Sequence, residues 1–352
     1  MPALNDLPVR ISGLVRHACT RAGVAWTNPW LRVGANTAIG LLSLLLLART
    51  VPLGEVFQHF QPRHLSPLIA IVAFTVLSQV ARATRWMLLL RTRVRVGLLD
   101  ALWINLATQL GNYVLPLRAG EALRLWWLAK RRHQPAGAAL GLIVTDHAFD
   151  LGGVTAVLGA GTLLKWSAAD TQLPSLPALL VVLGMAAATL AVIAGGAWLG
   201  PRLACCGPLR RVLRPAWSQA LTRHSQAFWS GLASIRRGHL LAMLAASAAA
   251  VALDGLAFAM LFLALDLAVP VVSAVVAQVT LLFAYLVPSA PGYVGSLEAG
   301  GTIVLGSLGL SRGAAAGAIV LWHVVATLII VGLGLFAMQR VLRAAPAGQR
   351  VR

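Results

Sequence analysis

Only ten acidic side chains occur in this 352-residue chain, and five of them, Glu121, Asp146, Asp150, Asp254 and Glu298, fall inside apolar segments or beside Pro/Gly breaks. A charge at the centre of a bilayer costs about 2.5–3.5 kcal/mol or more unless it is paired or hydrated, so these carboxylates need partners. Cations stand at helical spacing to supply them. Arg82 and Arg85 are three apart and share one helix face. In Pro116-Leu117-Arg118-Ala119-Gly120-Glu121-Ala122-Leu123-Arg124, the charges Arg118, Glu121 and Arg124 are again spaced by three. Proline and glycine break the helix there, and a new helix starting near Gly120 would offer free N–H groups to an anion. Asp146 and Asp150 are four apart on one face, with Gly152 and Gly153 allowing close helix approach. A second break, Pro288, Pro291, Gly292 and Gly295, precedes Glu298.

Arginines of this kind suit bidentate contact with a phosphate headgroup. Glu121, Asp146, Asp150 and Glu298 would then balance that charge or exchange protons. Blander roles compete with these. Arg82 and Arg85 can snorkel to an interface, and Asp146, Asp150 and Glu298 can serve only as counter-ions pinning helices together. His147 and His323 are read as hydrogen-bonded core residues rather than proton carriers, and Trp126-Trp127 as part of an interfacial belt. No catalytic residue, metal site or cofactor is expected. The sequence holds no H-E-x-x-H run or Ser–His pairing, and Cys19, Cys205 and Cys206 make neither a disulfide framework nor a metal-ligand spacing. An intramembrane lipid-modifying enzyme using Asp146, His147 and Asp150 is the alternative.

The scaffold holding these residues can be read from composition. The chain is 59% hydrophobic and 11% charged, against about 25% charged in soluble domains. Apolar stretches near 20 residues long match the thickness of a bilayer core. Thirty-three glycines and 17 prolines are tolerable where neighbouring helices re-satisfy broken backbone bonds. The net charge of +19 invites a nucleic-acid reading. The basic residues, however, sit between apolar segments, the distribution of the positive-inside rule. Anionic lipid headgroups are the better counter-charge, at roughly 1 kcal/mol per surface basic residue, and no nucleic-acid partner is expected. The polar stretch before Gly34 reads as a cytoplasmic tail and not a cleaved signal.

Apolar segments fall at about 33–49, 66–90, 98–115, 136–164, 177–199, 240–267, 270–287, 299–311 and 314–337. If 98–115 crossed fully, Lys130, Arg131 and Arg132 would lie outside, against the positive-inside rule. A hairpin over 98–128, entering and leaving on the cytoplasmic side with its tip at Asn112–Gly120, removes the conflict. A second hairpin, 270–287 and 299–311, then enters from the outer side and is broken at Pro288–Gly292. The expected fold is all-α and polytopic, with about six full spans and two re-entrant helical hairpins in an inverted repeat, a recurring transporter plan with its site near the midplane. The expected domains are a cytoplasmic tail at 1–32, one transmembrane domain at 33–337 and a basic cytoplasmic tail at 338–352, in a bacterial inner membrane.

Four pieces in order carry a family resemblance: Arg82-Ala83-Thr84-Arg85-Trp86-Met87-Leu88-Leu89, Asn112 through Arg124, the pair Asp146 and Asp150, and Pro288-Ser289-Ala290-Pro291-Gly292-Tyr293-Val294-Gly295-Ser296-Leu297-Glu298. The chain resembles the flippase-like membrane proteins related to the transmembrane domain of lysylphosphatidylglycerol synthase. Two departures stand out: Asp146 where that family usually has Glu, and Tyr293 where a second glycine is usual. The resemblance implies movement or handling of an anionic or polyprenyl-linked lipid between leaflets, with membrane lipids as partners. It also leaves room for a role as accessory subunit to an envelope-biosynthesis enzyme. No aminoacyl-transferase activity is expected, since only a short basic tail follows Leu335. The oligomeric state is left open.

Overall fold

The computed structural model describes residues 65–91, 93–115, 120–168, 176–198, 226–230, 237–282, 284 and 291–343. The expected tail at 1–32, the segment at 33–49, most of the basic 200–239 stretch, and Pro116, Arg118 and Pro288 lie outside the described residues. The elements are helical: α1 Leu65–Leu90, α2 Leu98–Val114, α3 Glu121–Trp126 running into a π-turn Trp127–Arg131, α4 Ala136–Ala168, α5 Leu176–Trp198, α6 Arg237–Ala264, α7 Val271–Leu281, a 3-10 turn Pro291–Tyr293, α8 Ser296–Gly306 and α9 Arg312–Arg343. No strand occurs among the described residues. Four helices, α1, α4, α6 and α9, are long and apolar enough to cross a membrane. Helix α9 runs to Arg343, past the expected domain end at 337.

Helices α1 and α6 form the centre and run antiparallel. Arg85 of α1 meets Ser247 of α6, while Arg82 meets Asp254. Further along, Ile71 shares a cluster with Phe258 and Phe262, and Leu89 and Leu90 share another with Met243. Numbers rise on one helix as they fall on the other.

Short helices flank this pair. Helices α2 and α3 with its π-turn are the legs of a hairpin, because Asp100 near its start is bridged at 2.6 Å by Arg132 just past its end. At the tip the legs touch backbone to backbone. A Cβ on Gly120 would come within 2.1 Å of the Thr108 carbonyl oxygen and 2.5 Å of the Asn112 nitrogen, which real contacts never show. The second pair, α7 and α8, is joined through the turn at Pro291–Tyr293, and residues at both of its outer ends, Leu267, Val269, Leu308 and Leu310, pack on one apolar cluster. Each long helix that comes after a hairpin packs on the opposite hairpin. The ring of Trp103 on α2 sits edge-on to Phe336 of α9, and a Cβ on Gly161 of α4 would meet Val276 of α7.

Candidate functional site

Arg85 is the keystone of a buried ionic cluster. It is 1% exposed despite its place in an apolar helix, because three oxygens take its protons. Its Nε donates to Asp146 Oδ1 at 2.7 Å, and its Nη1 donates to Asp150 Oδ1 and, at 3.1 Å, to Ser247 Oγ. Asp146, fully buried, spends its second oxygen on Arg124, whose Nη1 donates to Oδ2 at 2.9 Å. Arg124 also donates from Nη2 to Asn105 Oδ1, and its guanidinium lies 4.7 Å over the Trp86 ring. That aromatic face adds a cation–π attraction, stronger where water is absent. Helix spacing explains the assembly: Asp146 and Asp150 sit one turn apart on α4, so one guanidinium reaches both. The approach is close because Gly153 faces Ser247, where a Cβ would lie 2.6 Å from backbone.

The expectation that Arg82 and Arg85 could snorkel to an interface is overturned. Both turn inward. Arg82 donates to Asp254 Oδ2 at 2.7 Å and to Ser78 Oγ at 2.9 Å. Asp146 carries its role with the shorter reach of aspartate, bridging two arginines.

In front of this cluster lies a cavity of about 530 Å³. Its polar wall includes Arg82, Arg85, Asn112, Glu121, Arg124, Asp150 and Asp254, and its apolar wall includes Leu151, Val154, Met185, Val251 and Leu282. Asn112 Nδ2 donates to Glu121 Oε1 at 3.3 Å, which ties the end of one hairpin leg to the start of the next. The other oxygen of Glu121 is buried with no hydrogen-bond partner. Tyr113 from the first hairpin and Tyr293 from the second meet edge to face across the cavity, ring centroids 5.4 Å apart. Tyr293, the bulky departure at the second tip, takes a positive φ of 61° and packs on the opposite hairpin.

At the second break Tyr293 lines the cavity, whereas Glu298 and His323 are not among its lining residues. Gly292 and Gly295 adopt positive φ values of 76° and 91°, which lets the chain turn into α8 directly after the 3-10 turn that Pro291 opens. Glu298 Oε2 accepts the Gly295 N–H at 2.6 Å. Its Oε1 contacts His323 Nδ1, and His323 Nε2 donates to the Gly292 carbonyl at 2.7 Å. His323 is thus buried and hydrogen-bonded. His147 is not: its side chain is 47% exposed and its ring nitrogens stand 3.7 Å from Glu121 Oε1 and 3.8 Å from Asp150 Oδ2. Of the Trp126-Trp127 pair, Trp127 is buried, with Arg132 stacked on it, and Trp126 is partly exposed.

Residues 34–334 match the model of the lysylphosphatidylglycerol synthase TM region. The chain belongs to that family. It is therefore a membrane protein of this family with an all-helical, multi-pass fold. No curated protein and no solved structure matches it. The sequence motifs behind the resemblance converge in space, since the Arg82/Arg85 helix, the first hairpin and the Asp146/Asp150 helix build one wall of the cavity.

Several cavity residues escaped the sequence reading as site residues: Asp254, Gln79, Asn105, Gln109 and Gln278. Asn105 donates to Gln79 Oε1 at 3.3 Å while accepting from Arg124. A carboxamide within an apolar helix was the available signal, and each of these positions carries one or, for Asp254, a carboxylate.

Proposed function

We propose that this protein translocates or handles a lipid between leaflets, with the headgroup seated in the cavity between the two hairpins. One observation carries the reading: a cavity whose polar wall is charge-paired stands among helices that otherwise present apolar side chains. In a lipid-facing bundle such polarity is expensive and marks a substrate path. The reading takes both hairpins as re-entrant, entering from opposite faces of a bacterial inner membrane, with about six full spans and both termini cytoplasmic. The Asp100–Arg132 bridge supports it for the first hairpin, since start and finish lie together.

The cargo in this reading is an anionic or polyprenyl-linked lipid. Arg82, Arg85 and Arg124 already carry carboxylate partners, so they shape and neutralise the wall, and contact with the phosphate falls to Arg118 and amide donors such as Asn112. We take the protein to be a transporter and not an enzyme. Asp146 has both oxygens engaged and no exposure, which removes one carboxylate from the acid–base set that lipid-modifying chemistry would use. A role beside an envelope-biosynthesis enzyme is compatible with this reading.

The test is translocation of headgroup-labelled phosphatidylglycerol by the purified chain in phosphatidylethanolamine/phosphatidylglycerol vesicles, read as loss of label reachable by an impermeant quencher. Wild type is expected to move the lipid and Arg118→Ala to stop it at unchanged reconstitution. Equal movement by vesicles without protein would overturn the reading, and equal movement by the variant would overturn the role of Arg118.

A further inference from the structure

Apart from α5, the described helices form two corresponding series, each a long helix, a hairpin and a second long helix (α1, α2/α3, α4 against α6, α7/α8, α9). The correspondence extends to individual residues. Arg82 lies eight residues before the end of α1 at Leu90, and Asp254 ten residues before the end of α6 at Ala264, and these two bridge each other where the helices cross. A bridge between nearly corresponding positions on antiparallel helices is what a two-fold axis close to the crossing produces. His147 lies eleven residues into α4 from Ala136, and His323 eleven residues into α9 from Arg312. Each faces a glutamate at the start of the second hairpin leg of its own half: Glu121, first residue of α3, and Glu298, third residue of α8.

The two couples are in different states. At His323 the Gly292 carbonyl can only accept, so Nε2 carries a hydrogen. Nδ1 touches a carboxylate oxygen, a contact that calls for a second proton shared between imidazole and Glu298, and neither residue is among those lining the cavity. At His147 the corresponding glutamate stands apart. The imidazole ring opens onto the cavity, with Glu121 on one side and Asp150 on the other at distances beyond hydrogen bonding. Asp146 and the Arg85 and Arg124 guanidinium groups lie behind them, already paired.

We propose that His323–Glu298 and His147–Glu121 are equivalent proton sites, one in each half, closed in alternation as the cavity changes the side it faces. In the conformation seen, the His323–Glu298 couple holds its proton between Nδ1 and Oε1. When that couple opens the proton leaves to water, and the His147–Glu121 couple closes on one taken from the cavity. An inverted repeat makes this exchange geometrically natural, because swapping the conformations of the two halves turns the cavity to the other side. The inference rests on the transporter reading for its purpose, but its test needs no lipid cargo.

The experiment uses the full chain with Cys19, Cys205 and Cys206 replaced by serine and Ala326→Cys, a position lining the cavity. Labelling by an impermeant maleimide is compared in right-side-out and inside-out vesicles. One side is expected to dominate. His323→Gln and Glu298→Gln should shift labelling severalfold toward the other side, and His147→Gln and Glu121→Gln should shift it further toward the first. Lowering the pH should move the ratio in the unsubstituted pair background and leave it unmoved in the chain carrying both His147→Gln and His323→Gln. Shifts of the same sign in both halves, or no shift in either, would overturn the proposal. The glutamine variants preserve size and a hydrogen-bonding group, and their monodispersity in detergent separates misfolding from a loss of switching. Lipid movement is measured separately, so failure of translocation with opposite shifts would count against the transporter reading alone.

Discussion

The two hairpins are one architectural device held in place by different forces. The first is tied ionically: Arg124 to Asp146, Arg132 to Asp100, and a guanidinium face on Trp86. The second is tied by a helix cap and a buried imidazole, Glu298 to the Gly295 N–H and His323 to the Gly292 carbonyl, on an apolar bed. The position equivalent to Arg124, three residues past the leg's glutamate, is Gly301, packed so closely on Ile319 that a Cβ would lie 2.2 Å away. One hairpin therefore carries charge into the bundle and the other carries backbone. An ionic anchor is unforgiving of deletion, because the abandoned partner stays buried, whereas a capped turn loses only its own bonds.

That contrast sets the order of effects. Arg85→Ala should be the most damaging, leaving Asp146 and Asp150 short of a cation at a loss of about 3–5 kcal/mol; thermal unfolding of the detergent-purified protein followed by tryptophan fluorescence measures it. Adding Asp146→Asn should recover part of the loss, and no recovery would mean that the cluster is held by packing instead. Gly120→Ala should come next, at about 1–3 kcal/mol, since the Cβ forces the first hairpin's legs apart. Its separation from the same change at Gly295, where nothing lies within 4 Å but φ is 91°, distinguishes close approach from backbone strain. Glu298→Gln removes the charged acceptor at the second tip and should lower stability by about 1–2 kcal/mol. A loss equal to that of Arg85→Ala would erase the contrast between the hairpins. Arg132→Ala should have the smallest effect, under about 1 kcal/mol, because Asp100 is more than half exposed. That small loss should fade further in high salt.

Much of the architecture was legible in the sequence because membrane chains expose their logic through charge. The cluster Lys130, Arg131 and Arg132 led to the expectation of a hairpin over 98–128, and the bridge from Arg132 to Asp100 brings the two ends of that stretch together. The rarity of acids pointed to Glu121, Asp146 and Asp150, which do gather around one cavity wall. The pairings were not legible. Arg82 meets Asp254 across 172 residues, and nothing local in either segment announces a partner in the other half. Snorkelling is a natural fate for an arginine only while its inward neighbours are unknown. The amides Gln79, Asn105 and Gln278 were passed over because a neutral polar group barely disturbs a hydrophobic window, although Asn105 becomes valuable once Arg124 is buried beside it, and Gln79 in turn supports Asn105.

The π-turn at Trp127–Arg131 has a consequence for phase. In an unbroken α-helix Arg131, seven residues beyond Arg124, would stand almost directly above it, since seven residues make nearly two full turns. The wider turn, closed by the Arg132 N–H on the Trp127 carbonyl, rotates the downstream residues by roughly a quarter of a revolution. Arg131 is thereby swung onto the Trp126 ring and the carbonyl of Leu342. The wider turn thus gives Arg131 a ring and a backbone carbonyl for partners, away from the face on which Arg124 meets Asp146.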